Sequence, residues 1–171
     1  MIGLGHTRGG AVHWPVPVWL FLELGMECFH VWQKPWGVRI RMEGEPTDAQ
    51  RAAFTVEVEA HCLTRAGTGK PWVSLIEIRN YTRSRQLSDK VAAVMHLARA
   101  CGHVRCAILV DDWTLARELA DAILKAGCDD QARIFLPSPQ NEWGRAGAEE
   151  WAGVQAWIFR DLTDQHWSLA A

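Results

Sequence analysis

The sequence predicts an α/β protein with a mixed, mostly parallel five-stranded sheet and the element order ββαβαβαβα. From Ser88 to Pro137 the chain alternates amphipathic helical segments with apolar strand-like runs. Such alternation is typical of parallel strands joined by helices. Two shorter strand-like runs separated by turn residues precede it. About half of the 171 residues are apolar, which is enough for one buried core.

The first two runs, Cys28–Gln33 and Val38–Met42, are rich in β-branched and aromatic residues. Lys34–Gly37 separates them with the sequence KPWG, which is typical of a turn. In the second run apolar residues alternate with charged ones, so one face of the strand is predicted to be buried. We therefore expect an antiparallel hairpin.

The segment Thr47–Thr64 carries two conflicting patterns. Alternating apolar residues around Val56 favour a strand, whereas Thr47 and Gln50 fit a helical capping box. The segment contains no Gly or Pro and is too long for a typical strand. We predict a helix whose inner face is formed by Ala49, Ala53, Val56, Ala60 and Leu63.

Three apolar runs, at residues 72–78, 104–110 and 132–136, are predicted as buried parallel strands. Ser88 and Asp112 are predicted to cap the two helices between them. The inner faces of these helices are expected at Val91, Val94, Met95 and Ala98, and at Leu115 or Ala116, Leu119, Ile123 and Leu124. A last helix, from about residue 146 to 161, is expected to pack on the sheet through Trp151, Val154, Trp157 and Ile158, with Trp151 as the buried anchor.

Residues 1–25 are predicted to be an appendage outside the core domain, which covers residues 26–171. The apolar stretch Trp14–Leu22 is about nine residues long, whereas a membrane-spanning helix needs ~20. Pro15 and Pro17 interrupt it further. We expect no membrane span here. The appendage is either an additional strand or apolar arm, or an extension upstream of a start at Met26.

Charge and motifs narrow the classes of function. A net charge of −2 argues against a nucleic-acid partner, which normally requires a basic face. Five scattered cysteines without a CxxC pair indicate reduced thiols and a cytoplasmic location. His61, His96 and His103 lack metal-ligand spacing, and the sequence AGTGKP at 66–71 departs from a P-loop. The sequence therefore predicts no cofactor and no metal site, and it favours a non-catalytic protein over an enzyme.

Most of the chain resembles a known family, and the most characteristic features lie in its second half. The sequence DDW at Asp111–Trp113 opens a helix, Phe135 lies near the end of the next strand, and EEW at Glu149–Trp151 lies in the last helix. With the element order, these features resemble the STAS-like fold, specifically the SpoIIAA-like family of small bacterial proteins, over roughly residues 26–160. The resemblance implies a non-enzymatic module that contacts proteins or lipids. In related anti-sigma-factor antagonists a serine of a D-S-S-G motif is phosphorylated; Ser88 corresponds to it in position, but the motif is absent.

These observations lead to an expected function and an expected site. We expect a STAS-like binding or regulatory module that acts through protein contacts or an apolar small ligand such as a lipid. The alternative is a small α/β enzyme with its site at the carboxyl ends of the strands, where such folds bind ligands. The candidate site residues are Asn80, Arg83, Arg85, Ser88, Asp111, Asp112 and Ser138.

Each part of this candidate site has a competing explanation. Arg83 and Arg85, with Arg79, suit a phosphate or a lipid head group, but they also suit a solvated loop. Asp111 and Asp112 could hold Mg²⁺, but a helix cap and a solvated carboxylate explain them more simply. The tryptophans expected to be partly exposed form a candidate interface for a protein partner or a second copy in a homodimer. They are Trp143, Trp157 and Trp167.

Overall fold

The computed structural model describes residues 28–136, 148–160 and 162, with the side chains of 148–150 excepted. The strands are β1 (Phe29–Lys34), β2 (Gly37–Glu43), β3 (Trp72–Arg79), β4 (His103–Val110) and β5 (Ala132–Phe135). The helices are α1 (Asp48–Ala66), α2 (Leu87–Ala100), α3 (Trp113–Lys125) and α4 (Ala148–Ile158). This order confirms the predicted ββαβαβαβα sequence of elements.

The five strands form one mixed sheet in the order β1-β2-β3-β4-β5. β1 is antiparallel to β2, and the remaining neighbours are parallel. Right-handed crossovers between strands that follow one another across a sheet place every connecting helix on the same face. α1, α2 and α3 accordingly share one face, and α4 packs on the other. The predicted α/β class with a mixed, mostly parallel sheet is confirmed.

Each face of the sheet has its own apolar core. The larger core lies under α1, α2 and α3, and its strand residues include Phe29, Val38, Ile40, Met42, Trp72, Ile78, Cys106, Ile108 and Val110. The smaller core lies under α4 and comprises Trp36, Val73, Leu75, Ala107, Leu109, Val154 and Ile158. The alternation of these two sets along β3 and β4 follows the two-residue period of a strand that is covered on both faces.

The turn between β1 and β2 depends on Gly37. Its φ is 154°, and a Cβ placed on it would lie 1.8 Å from the carbonyl oxygen of Val73. Only glycine therefore allows β2 to pair with β3 at this point. The neighbouring Trp36 is 1% exposed and accepts a hydrogen bond from the Val73 amide through its carbonyl oxygen, at 3.1 Å. The predicted hairpin is confirmed.

α1 is a helix, as the capping box predicts, but the face assigned to the core was wrong. Val56 and Leu63 are 52% and 62% exposed. The buried residues of α1 are Arg51, Val58 and Cys62, and Phe54 is half buried between them. The true inner stripe therefore begins with an arginine, which a hydrophobicity pattern counts as an outward-facing residue.

Two arginines attach α1 to the rest of the domain. Near its first turn, Arg51 donates to the hydroxyl of Tyr81 and, at 2.7 Å, to the carbonyl of Thr82. In its last turn, Arg65 donates to the carbonyl oxygens of Lys34 and Gly37. Charge-assisted hydrogen bonds of this kind are among the stronger ones in proteins. They fix both ends of α1 relative to the sheet.

The helix caps agree with the sequence in two cases and contradict it in one. Thr47 Oγ1 accepts from the Gln50 amide at 3.2 Å within a complete capping box, and Asp112 accepts from the Leu115 amide at 2.6 Å. The predicted cap at Ser88 is wrong, because α2 begins one residue earlier and Ser88 is its second residue.

The predicted inward position of Leu124 on α3 is also wrong, since this side chain is 63% exposed.

α4 packs on the sheet as expected, but Trp151 is not its most buried residue. Val154 and Ile158 are fully buried, whereas Trp151 and Trp157 are half buried. The prediction that Trp151 is the buried anchor was therefore wrong. Trp157 Nε1 donates to the carbonyl oxygen of Cys106 at 3.2 Å, and the guanidinium of Arg105 lies 4.3 Å from its ring centroid.

Two alanine substitutions distinguish a real cap from an apparent one. Thr47→Ala should lower the free energy of unfolding by about 1 kcal/mol, because it leaves the Gln50 amide without its acceptor. Ser88→Ala should change it by less than about 0.5 kcal/mol, since Ser88 caps nothing. Urea unfolding curves of both variants check this. A larger loss for Ser88→Ala than for Thr47→Ala would contradict the assignment.

Candidate functional site

A cavity lies between α1 and α2 on the face of the sheet that carries three helices. Its floor consists of strand residues: Phe29, Ile40, Met42, Ile76, Cys106 and Ile108. Its walls consist of residues from α1 and α2: Phe54, Thr55, Val58, Leu87, Val91, Val94 and Met95. The Phe29 and Phe54 rings stack with centroids 4.4 Å apart and define one side of the space.

The cavity encloses about 120 Å³, whereas one water molecule needs only ~10–15 Å³ of such space. Its wall is almost entirely apolar. A stable internal water requires 2–4 polar partners, so an apolar wall cannot hold water well. The space is therefore suited to an apolar occupant.

The cavity opens towards solvent between the two helices. Val91, Val94 and Met95 lie on the predicted inner face of α2, yet each remains half exposed. Thr55 of α1, which also lines the cavity, is half exposed too. Partly exposed apolar side chains around a concave surface are typical of ligand grooves.

The polar groups of the cavity gather at one end, at the carboxyl edge of the parallel strands. Arg51 lies in the first turns of α1, and Tyr81 and Ser84 lie in the loop after β3. Lys90 lies in the first turn of α2. Burial raises the pKa of Tyr81, and the charge and hydrogen bond of Arg51 oppose that rise. The Tyr81 hydroxyl thus stays protonated at neutral pH.

Among the described residues, none of the site residues predicted from the sequence lines the cavity, although the loop between β3 and α2 was among the predicted regions. Arg51, Tyr81 and Lys90 belong to no recognisable motif of the sequence. One signal was available: Arg51, Phe54, Val58 and Cys62 recur at helical spacing and describe the inner face of α1.

The predicted polar residues at the carboxyl edge make structural hydrogen bonds. Asn80 has a φ of 45°, and its amide donates to Asp111 Oδ2 at 2.8 Å. Its carbonyl oxygen accepts from the amide of Gly44. Asp112 is occupied as the cap of α3. Asn80, Asp111 and Asp112 are all exposed and hold loops and a helix end in place.

The predicted arginine cluster does not converge on one point. Arg83 pairs with Glu118 of α3 at 3.3 Å. Arg79 lies on the opposite face of the sheet, where it contacts Glu77 at 3.4 Å. Arg85 is exposed. Ser88 is half buried in the first turn of α2, and its use as a phosphorylation site stays a prediction.

Ser138, Trp143 and Trp167 lie outside the described residues, as do residues 1–25, whose role as an appendage stays a prediction. Trp157 packs against β4, and its role in association stays a prediction. Among the described tryptophans, the largest exposure is that of Trp113, at 75%. This residue opens α3, and the sequence analysis did not consider it as an interface.

A buried group of three polar side chains adjoins the cavity floor, of which Cys106 is a part. Ser74 Oγ lies 2.9 Å from His103 Nε2, and the Cys106 thiol hydrogen-bonds to Ser74. Burial raises the pKa of Cys106 to about 12, and burial lowers the pKa of His103 to about 4. Both groups are therefore neutral at physiological pH. A neutral thiol beside a neutral imidazole has a structural role here and is not an activated nucleophile.

Two kinds of feature are absent from the described residues. Within residues 28–136, 148–160 and 162, no three His, Cys, Asp or Glu side chains are grouped as metal ligands would be. In the same part of the chain, none of the helices has the length and apolar character that crossing a membrane requires.

Comparisons with known proteins returned no relative of this chain: no family model, no curated protein and no solved structure matches it.

The buried histidine makes stability depend on pH. Between pH 6.5 and about 4 the unfolded chain protonates His103 and the folded chain does not, so the free energy of unfolding should fall as pH falls through this window. At ~1.4 kcal/mol per pKa unit, the loss should reach about 3 kcal/mol. Urea unfolding at several pH values measures the slope.

The matched variants for this measurement are His103→Gln and His96→Gln. His103→Gln should be less stable at pH 7 but should show a shallower slope between pH 6.5 and 4, because glutamine does not titrate. His96 is exposed, so His96→Gln should retain the wild-type slope. Equal slopes in all three proteins would contradict the assignment.

Proposed function

We propose that the protein is a STAS-like binding module that takes an apolar small ligand, such as a lipid chain, into the cavity between α1 and α2. The observation that carries this proposal is the cavity itself, with about 120 Å³ and an almost entirely apolar wall. Leaving such a space empty forfeits the contacts that its lining atoms would otherwise make. An apolar ligand restores those contacts without the loss of any hydrogen bond.

Several features support a binding role over catalysis. Cys106, in the cavity floor, and His103, linked to it through Ser74, are held neutral by burial. The polar residues at the carboxyl edge, Asn80, Asp111 and Asp112, already have structural partners. The alternative of a small α/β enzyme would need a polar concave site at that edge, where substrate and catalytic groups meet.

The STAS-like assignment rests on the element order and on the resemblance of DDW at residue 111 and EEW at residue 149. The five-stranded sheet, with the hairpin at one side and three helices on one face, is consistent with it. Under this assignment, a bound ligand would alter the surface that α1 and α2 present to a protein partner. Binding of the ligand would then change the affinity for the partner, and binding of the partner would change the affinity for the ligand, through the position of these helices.

Filling the cavity tests the proposal. The neutral fluorophore N-phenyl-1-naphthylamine should bind the wild-type protein in a saturable way. Val94→Phe replaces a small side chain at the half-exposed mouth with a phenyl ring. It should weaken this binding about tenfold or more, a loss of ~1.4 kcal/mol. Fluorescence titration measures both affinities.

The control is Val56→Phe, the same substitution at an exposed position on α1 outside the cavity. It should change the affinity by less than about twofold, well under ~1 kcal/mol. Absence of saturable binding to the wild type, or equal losses in the two variants, would refute the proposed site. Urea unfolding of both variants confirms that each is folded.

A further inference from the structure

Arg51 is a buried cation at the polar end of the cavity. It is 8% exposed and lines the cavity beside Tyr81. Its hydrogen bonds go to neutral oxygens, the Tyr81 hydroxyl and the Thr82 carbonyl. The nearest carboxylate found for it among the described residues is that of Asp48, at 4.0 Å from Nε, and the Asp48 side chain is fully exposed. The charge of Arg51 is thus only weakly compensated.

A buried charge is costly unless an opposite charge lies close to it. Among the described residues that line the cavity, Arg51 and Lys90 are charged and both are cations. No Asp or Glu is part of that lining. The apolar space therefore ends in a positive potential, to which the amino-terminal ends of α1 and α2 add a smaller contribution.

We infer that the ligand is a single-chain amphipathic anion: a free aliphatic carboxylate whose chain occupies the cavity and whose head contacts Arg51. The planar guanidinium suits a carboxylate, and Lys90 adds a second, exposed cation at the mouth. The Tyr81 hydroxyl lies beside Arg51 and is placed to contact the same head group. This inference rests on the proposed function, because it requires the cavity to be the binding site.

A matched pair of ligands separates head-group recognition from burial of the chain. Decanoate and 1-decanol carry the same chain length, and the alcohol leaves water more readily because it is uncharged. Titration calorimetry with the full-length protein at pH 7.5 should nevertheless show decanoate binding at least about tenfold tighter, a ratio that corresponds to ~1.4 kcal/mol. Equal affinities, or tighter binding of the alcohol, would overturn the inference.

Three variants locate the recognition. Arg51→Gln should abolish the preference for decanoate, measured as the ratio of the decanoate and 1-decanol affinities of the same variant, because that ratio excludes any change in the cavity that weakens both ligands alike. Lys90→Gln should reduce the preference about threefold by removing the outer cation. Lys70→Gln removes an exposed lysine at the opposite edge of the sheet and should leave the preference unchanged.

The outcomes distinguish the two proposals. If N-phenyl-1-naphthylamine and 1-decanol bind but decanoate is not preferred, the anion inference fails and the apolar site stands. If no ligand binds, the proposed function fails as well. If Arg51→Gln does not fold, Lys90→Gln serves as the test instead. An unchanged preference for decanoate in that variant would count against the inference. Decanoate that binds equally well to Val94→Phe would place the anion outside the cavity and also overturn it.

Discussion

The position of α1 determines the rest of this face of the protein, and two arginines set that position. Arg51 reaches the loop after β3, and Arg65 reaches the turn between β1 and β2. Both arginines donate to backbone carbonyl oxygens, which are present whatever side chain the accepting residue carries. With its ends fixed in this way, α1 does not close fully onto α2. A space remains between α1 and α2 while α1 is held in this position.

Much of the fold was predictable because its signals are local. Turn residues marked the hairpin, the capping box at Thr47 decided between helix and strand, and apolar runs marked the parallel strands. The apolar pattern along α1 favoured the wrong face, because the buried face starts at Arg51, which hydrogen-bonds to a carbonyl oxygen far away in the chain. Glu77 shows the same limit: it is 1% exposed, and Arg39, from the neighbouring strand, lies 2.9 Å away.

The candidate site was harder to predict for a related reason. Sequence reasoning favoured polar residues at the carboxyl edge of the sheet, which is the usual ligand side. The polar end of the cavity lies at that edge. Asp111 and Asp112, at the same edge, hold a loop and a helix cap in place. The cavity depends on the distance between α1 and α2 on the sheet, and no sequence pattern within either helix indicates that distance.

Gly37 has a consequence for strand alignment that reaches beyond its own turn. The carbonyl oxygen of Val73 lies where any Cβ at this position would be, so β2 and β3 can pair with only a glycine opposite Val73. If β2 slid by one residue, Trp36 or Val38 would meet that oxygen; if it slid by two, Pro35 or Arg39 would. Slippage by two is the error that a strand's alternation of faces does not prevent. One glycine therefore selects a single alignment for the hairpin against the parallel part of the sheet.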